Sequence, residues 1–194
     1  MSDANLIIRD GIIVADDWTL IAAGDAAGLA SLPAGKIIVP LNRWIAEREA
    51  LTERVATSRA QSGVWIEGAE DAALLADSID QLALIAVNFP KFTDGRGYST
   101  GALLRSRYGF KGELRAIGDV LRDQLFYLHR AGFNAFAVRA GKNIHDALSA
   151  LNDFSETYQG AVDQPLPLFK RRSARSSNHS RGNTDAKTIE AIHG

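Results

Sequence analysis

No cysteine occurs anywhere in the chain. That excludes disulfides, thiolate nucleophiles, and zinc or iron–sulfur centres held by cysteine. It also fits a reducing compartment. Long apolar runs are missing as well, since none approaches the ~20 residues that a membrane-spanning helix needs. The opening MSDANLIIRDG is charged and lacks the apolar stretch of a secretory signal. The cytoplasm is therefore the expected location, with no membrane partner. An excess of either charge is also lacking. With 22 Lys and Arg against 23 Asp and Glu in 194 residues, the formal net charge is −1, which gives no reason to expect nucleic acid as a partner. The four histidines, His129, His145, His179 and His193, include no pair at metal-ligand spacing, so no metal centre is expected.

What remains is ordinary globular composition, 46% apolar and 23% charged, at a length suited to one domain with one core. Charge is unevenly spread. Lys170, Arg171, Arg172, Arg175 and Arg181 give one stretch +5, which leaves −6 on the rest to reach the net −1. This segment follows Pro165 and Pro167 and is rich in Ser, Arg and Asn, with little to bury. We expect a single domain over residues 1–170 and a disordered basic tail over 171–194.

The apolar pattern sets the fold class. Leu6-Ile7-Ile8 and Ile12-Ile13-Val14 flank Asp10-Gly11, which predicts an N-terminal β-hairpin. Trp18 is expected to pack against the body, and residues 24–35, rich in Ala, Gly and Asp, read as loop. Continuous apolar runs then begin at Ile37, Val64, Leu84, Glu113 and Ala135, at spacings of 27, 20, 29 and 22 residues. Such runs suit strands covered on both faces. Between them lie helical patterns. Trp44, Leu51 and Val55 mark one, Leu75, Ile79 and Leu82 a second, and Leu103, Leu104 and Tyr108, stopped by Gly109, a third. Leu121, Leu125 and Leu128 follow Asp119 as N-cap and end at Gly132; Ile144, Ala147, Leu148 and Leu151 follow Asn143. The prediction is an α/β fold with a mainly parallel sheet of about five βα units, as an open sheet or a partial barrel. Five units are too few for a closed eightfold barrel.

In parallel α/β folds the βα loops at the carboxyl ends of the strands carry the chemistry. Those loops are Pro40–Arg43, Glu67-Gly68, Asn88–Ser99, Gly118-Asp119 and Arg139–Asn143. The richest is NFPKFTDGRGYS, from Asn88 to Ser99. Its glycines allow close backbone approach, the following helix start offers free N–H groups, and Lys91 and Arg96 add positive charge. That combination suits a phosphate, sulfate or carboxylate. Asp94 is a candidate general base, and Tyr98 and Ser99 offer hydroxyls. Glu67 and Asp119 stand at strand ends, where a carboxylate can serve as acid, base or ligand, although Asp119 is equally well placed to cap the next helix. The group Phe126, Tyr127, Phe133 and Phe136 reads as core.

The run NFPKFTDGRGYSTGALLRSRYGFKGELRAIGDVLRDQLFYLHRAGFNAFAV, residues 88–138, resembles a bacterial domain-of-unknown-function family numbered 934, most strongly at DGRGYS, LLR, GELRAIGDVL and DQL. The resemblance implies a role beside sulfite reductase in sulfate assimilation, as an oxidoreductase involved in sulfite reduction. It draws attention to Phe89, Pro90, Asp94, Gly95, Arg96, Gly97, Tyr98, Ser99, Leu104, Arg105, Gly112, Glu113, Leu114, Arg115, Gly118, Asp119 and Gln124. The expectation is an accessory protein of sulfur metabolism that binds a small anion. Arg96, Gly97, Tyr98, Ser99 and Arg105 would form the ligand site, with Asp94 and Asp119 in acid–base or orienting roles. Without cysteine or a dinucleotide fingerprint, a redox role needs a noncovalent cofactor such as a flavin, or a partner carrying the electrons. Two alternatives stand beside it: a noncatalytic adapter docking on sulfite reductase or its electron donor, and an α/β enzyme acting on a phosphorylated small molecule.

Overall fold

The computed structural model describes residues 6–152 apart from residues 26, 58, 59 and 92. The expected basic tail and the domain boundary at residue 170 lie outside the described residues.

The N-terminal hairpin forms as the sequence predicts. β1 (Leu6–Arg9) and β2 (Ile12–Ala15) pair antiparallel around Asp10 and Gly11. Both turn residues have left-handed φ, 51° and 76°, the backbone twist that a two-residue hairpin demands and that Asp-Gly tolerates best. A short strand that the pattern does not announce, β3 (Trp18–Leu20), follows directly. Then come the five βα units: β4 (Lys36–Pro40) with α1 (Leu41–Thr57), β5 (Gln61–Glu67) with a 3-10 helix (Ala72–Gln81), β6 (Leu84–Phe89) with α2 (Arg96–Ser106), β7 (Glu113–Gly118) with α3 (Arg122–Arg130), and β8 (Ala135–Phe136) with α4 (Ile144–Ser149).

Two helix expectations need correction. The Leu75–Ile79–Leu82 pattern buries the expected side chains, but on a 3-10 helix, started by the Asp71 carboxylate accepting from Ala73 N at 2.9 Å. Asp119 does not cap α3. That helix starts three residues later, and the Gln124 side chain accepts from the backbone N–H of Leu121 at 2.8 Å, so the orphan donor is satisfied from inside the helix. Asn143 caps α4 as expected, its Oδ1 accepting from the N–H groups of His145 and Asp146.

The eight strands form one sheet in the order β2-β1-β8-β7-β6-β5-β4-β3, and from β3 to β8 every pairing is parallel. Successive strands therefore add in one direction without reversal. With crossovers of constant hand, the helices collect on one face. The larger hydrophobic cluster lies there, among Ile37, Val39, Val64, Ile66, Ile85, Val87, Phe89 and the helix side chains Trp44, Leu104, Leu125 and Leu128.

The opposite face explains the shape. Eight strands laid flat at ~4.8 Å spacing would put the edge strands about 34 Å apart. Here the edge strands β2 and β3 are joined only by Asp16 and Asp17, a link that reaches at most ~11 Å. The sheet must curl until its edges meet, and the partial-barrel alternative is the one realised. Both link residues are pinned. Asp16 accepts from Arg115 Nη1 on β7 at 3.0 Å, and Asp17 pairs with Lys36 at 2.7 Å. Inside the curl lie Trp18, Ile38, Leu84, Ala86 and Ile117, with Trp65 against them. Arg115, only 2% exposed, is neutralised there by Asp16 and by Glu113 at 2.6 Å, as a buried charge requires.

Candidate functional site

The parallel strands deliver their carboxyl ends to one rim. The Asn88–Ser99 segment leaves β6 there and turns at Lys91, whose carbonyl accepts from Asp94 N at 3.0 Å. Asp94 then folds back onto the start of α2. Its Oδ1 accepts from the backbone N–H of Arg96 at 3.1 Å and from Arg96 Nε at 2.9 Å, while Oδ2 accepts from Nη2 at 2.6 Å. This two-pronged contact holds the Asp94 carboxyl at a pKa of about 2, first through the side-chain bonds from Arg96 and then through its backbone N–H. A carboxylate so acidic is a poor proton acceptor near neutrality. Its geometry suits it to hold Arg96 rather than to act as a base. The same bonds raise the Arg96 pKa, with a smaller contribution from the charge of Glu67. Asp94 occupies the Nε and Nη2 edge of the guanidinium, and the Arg96 side chain remains 65% exposed.

The neighbouring positions divide between packing and surface. Gly97 is buried because α2 lies on Phe89: a Cβ there would sit 2.6 Å from the ring. Tyr98 packs edge-on against Phe89 with centroids 5.5 Å apart. Burial pushes its phenol pKa up, and Gln124 is its hydrogen-bond partner, so this hydroxyl is committed toward α3. Ser99 is exposed. Thr100, which sequence reasoning passed over, is buried and donates to the Gly68 carbonyl at 3.1 Å. A Cβ on Gly68 would meet Gly97 N at 2.8 Å, so the β5 loop and the first turn of α2 meet backbone to backbone. A glycine straight after a strand-end glutamate was the one sequence signal of this contact. In the same row Asn88 Nδ2 donates to both oxygens of Glu67, at 3.0 and 3.1 Å, and Glu67 N donates to Glu70 Oε2 at 2.7 Å.

The other predicted residues are placed elsewhere. Asp119 follows β7 on the same rim. Its backbone N–H donates to the Phe89 carbonyl at 2.7 Å, and its carboxylate accepts from Arg139 Nη1 at 3.1 Å. Asp94 and Asp119 thus each hold an arginine of their own, and neither contacts the other's. Arg105 is not brought to the rim at all. Nine residues along α2 from Arg96, about 13 Å away, it donates to the carbonyls of Phe110, Gly112 and Gly132 and to Asn134 Oδ1, all at 2.7–2.9 Å.

A cavity of about 390 Å³ opens on the rim at the end of β4, between Gly24, Asp25, Ala27 and Gly28 and the start of α1. Its buried Arg43 is held by Glu47 and by the carbonyls of Asp25 and Ala27. Among the described residues no group of three or more His, Asp or Glu could hold a metal ion, and no helix is long and apolar enough to cross a membrane.

The sequence model of a family described as "Bacterial protein of unknown function (DUF934)" matches residues 63–169, more than half of the chain. The matched span runs from the third residue of β5 through α4 and takes in the whole Asp94–Ser99 loop. No curated protein matches the chain.

Proposed function

The chain belongs to the bacterial family of unknown function DUF934, and from that premise we propose that it is a cytoplasmic accessory protein of sulfur assimilation, acting in or beside sulfite reduction and taking a small oxyanion at the Asp94–Ser99 loop. The link to sulfite reduction comes from the family resemblance of residues 88–138. The observation that supports a ligand site is the Arg96 side chain. It is 65% exposed, stands at the first turn of α2 and is held by a single carboxylate. An oxyanion arriving there meets the guanidinium and the helix N-terminus together, two groups that favour negative charge. Asp94 orients Arg96 and yields part of it to the ligand. Asp119 with Arg139 forms a second ion pair on the same rim. Any electron transfer falls to a noncovalent cofactor such as a flavin, or to a partner protein, because the chain has no thiol.

A second reading, the noncatalytic adapter, is favoured by a separate feature. Ile45, Leu74, Leu103 and Tyr127 are 43–57% exposed, one on each of four successive helical elements of the outer layer. On neighbouring helices of one layer, these side chains offer apolar surface that a partner could cover.

Growth of a deletion strain separates the two. The ligand reading predicts no growth on sulfate or sulfite, normal growth on sulfide, and no rescue by Arg96→Ala. Rescue by Arg96→Ala, with loss of rescue by Leu103→Asp or Tyr127→Asp, selects the adapter. Normal growth of the deletion strain on sulfite rejects the role in sulfite reduction.

A further inference from the structure

We propose that Glu67 is the selectivity residue of the rim: its carboxylate accepts an O–H from the bound oxyanion, so the site takes protonated monoanions such as hydrogen sulfite and dihydrogen phosphate and rejects sulfate. This rests on the reading of the Asp94–Ser99 loop as an oxyanion site. Three observations bring Glu67 there. It is the last residue of β5, paired in register with Asn88 of β6. The peptide that follows it lies against the first turn of α2, where Gly68 leaves no room for a side chain beside Gly97 N and its carbonyl accepts from Thr100. Asn88 Nδ2 fixes the carboxylate from one side, contacting each oxygen once. A carboxylate has about four acceptor sites, so acceptor capacity remains on both oxygens.

The charges around this point decide what can bind. Arg96 is positive, and Glu67, Glu70 and Asp94 are negative, with exposed Lys91 the nearest other cation along the loop. Negative charge is in excess. A dianion placed against Arg96 would face the Glu67 carboxylate with no proton between two acceptors, an arrangement that is repulsive as well as unpaired. An oxyanion that arrives as a protonated monoanion brings one charge fewer and donates a charge-assisted bond to Glu67. On the acid side of neutrality sulfite and phosphate are mostly such monoanions, and sulfate is not.

Calorimetric titration of the full chain with phosphate, sulfite and sulfate at pH 6 and pH 8, on wild type and Glu67→Gln, tests this. Wild type should bind sulfite and phosphate at least ~10-fold more tightly than sulfate at pH 6, the worth of one charge-assisted bond. Its sulfite affinity should fall as the ligand loses its proton toward pH 8. Glu67→Gln, whose amide can donate to a bare oxyanion, should bind sulfate more tightly and lose the preference. An unchanged preference in Glu67→Gln overturns the role of Glu67, as does a wild-type sulfite affinity that is flat between pH 6 and 8, a result that needs no variant to fold. Wild type binding none of the three overturns the rim site itself.

Discussion

The two ends of helix α2 each carry an arginine, and they are used in opposite ways. Arg105, at the carboxyl end, spends its guanidinium on three backbone carbonyls and the Asn134 side chain, lies over the Phe110 ring at 5.3 Å, and has its pKa lowered by burial. Arg96, at the amino end, meets one carboxylate and is mostly in solvent. Carbonyls on a folded backbone cannot follow a guanidinium that leaves, so Arg105 is a fixed tie among the segment before β7, the start of β8 and, through Asn134 and Asp10, the hairpin turn. A carboxylate on an exposed loop can share its arginine with another anion. Residue type and helix are the same; the acceptor decides whether an arginine holds the fold or stays available.

The largest effect that would sharpen this contrast is at Arg105. Arg105→Ala leaves three carbonyls short of a donor and should cost about 3 kcal/mol, a fall of roughly 6–12 °C in Tm for a chain of this size. Arg105→Lys should recover only part, since an ammonium cannot reproduce the fork. A near-neutral Arg105→Ala would break the comparison. A smaller effect is expected at Asp119. As one half of an ion pair with Arg139 and not a helix cap, it should tolerate Asn and Ala alike, each within about 0.5 kcal/mol of wild type by denaturant unfolding. An Ala variant less stable than Asn by ~1 kcal/mol would restore the cap. Smallest is the titration of Asp94, which NMR should place at about 2 in wild type and back toward 3.8 in Arg96→Ala. The folded pKa lies below the unfolded one. Whatever the Asp94–Arg96 pair adds to stability is therefore present above pH 3.8 and lost as the pH falls through 2. An Asp94 pKa unmoved by the substitution would show that the two do not pair in solution.

Much of this architecture was legible in the sequence because it is local. Asp10-Gly11 names its own turn, and apolar runs a few tens of residues apart name a parallel sheet with helices between. What was not legible depends on placement. β3 is three residues long and pairs with β4 on the edge opposite β2, a placement that, with the two-residue link at Asp16-Asp17, makes the sheet curl and that no periodicity reveals. Asp119 looks like a cap from its spacing, yet Gln124 satisfies the start of α3 and frees Asp119 to meet Arg139. At the site, Arg96 and Arg105 lie close in the sequence and seem to belong together, whereas the length of α2 puts them at opposite ends of the sheet. Thr100 and Asn88 matter through contacts with the β5 loop, which sequence separation conceals.

The central claim is that Arg96 is the available arginine, and sulfite titration into wild type and Arg96→Ala tests it most directly. Losing one or two charge-assisted contacts should weaken binding by about 10–150-fold, with the unfolding midpoint unchanged. Equal sulfite affinity in the two proteins would contradict the account.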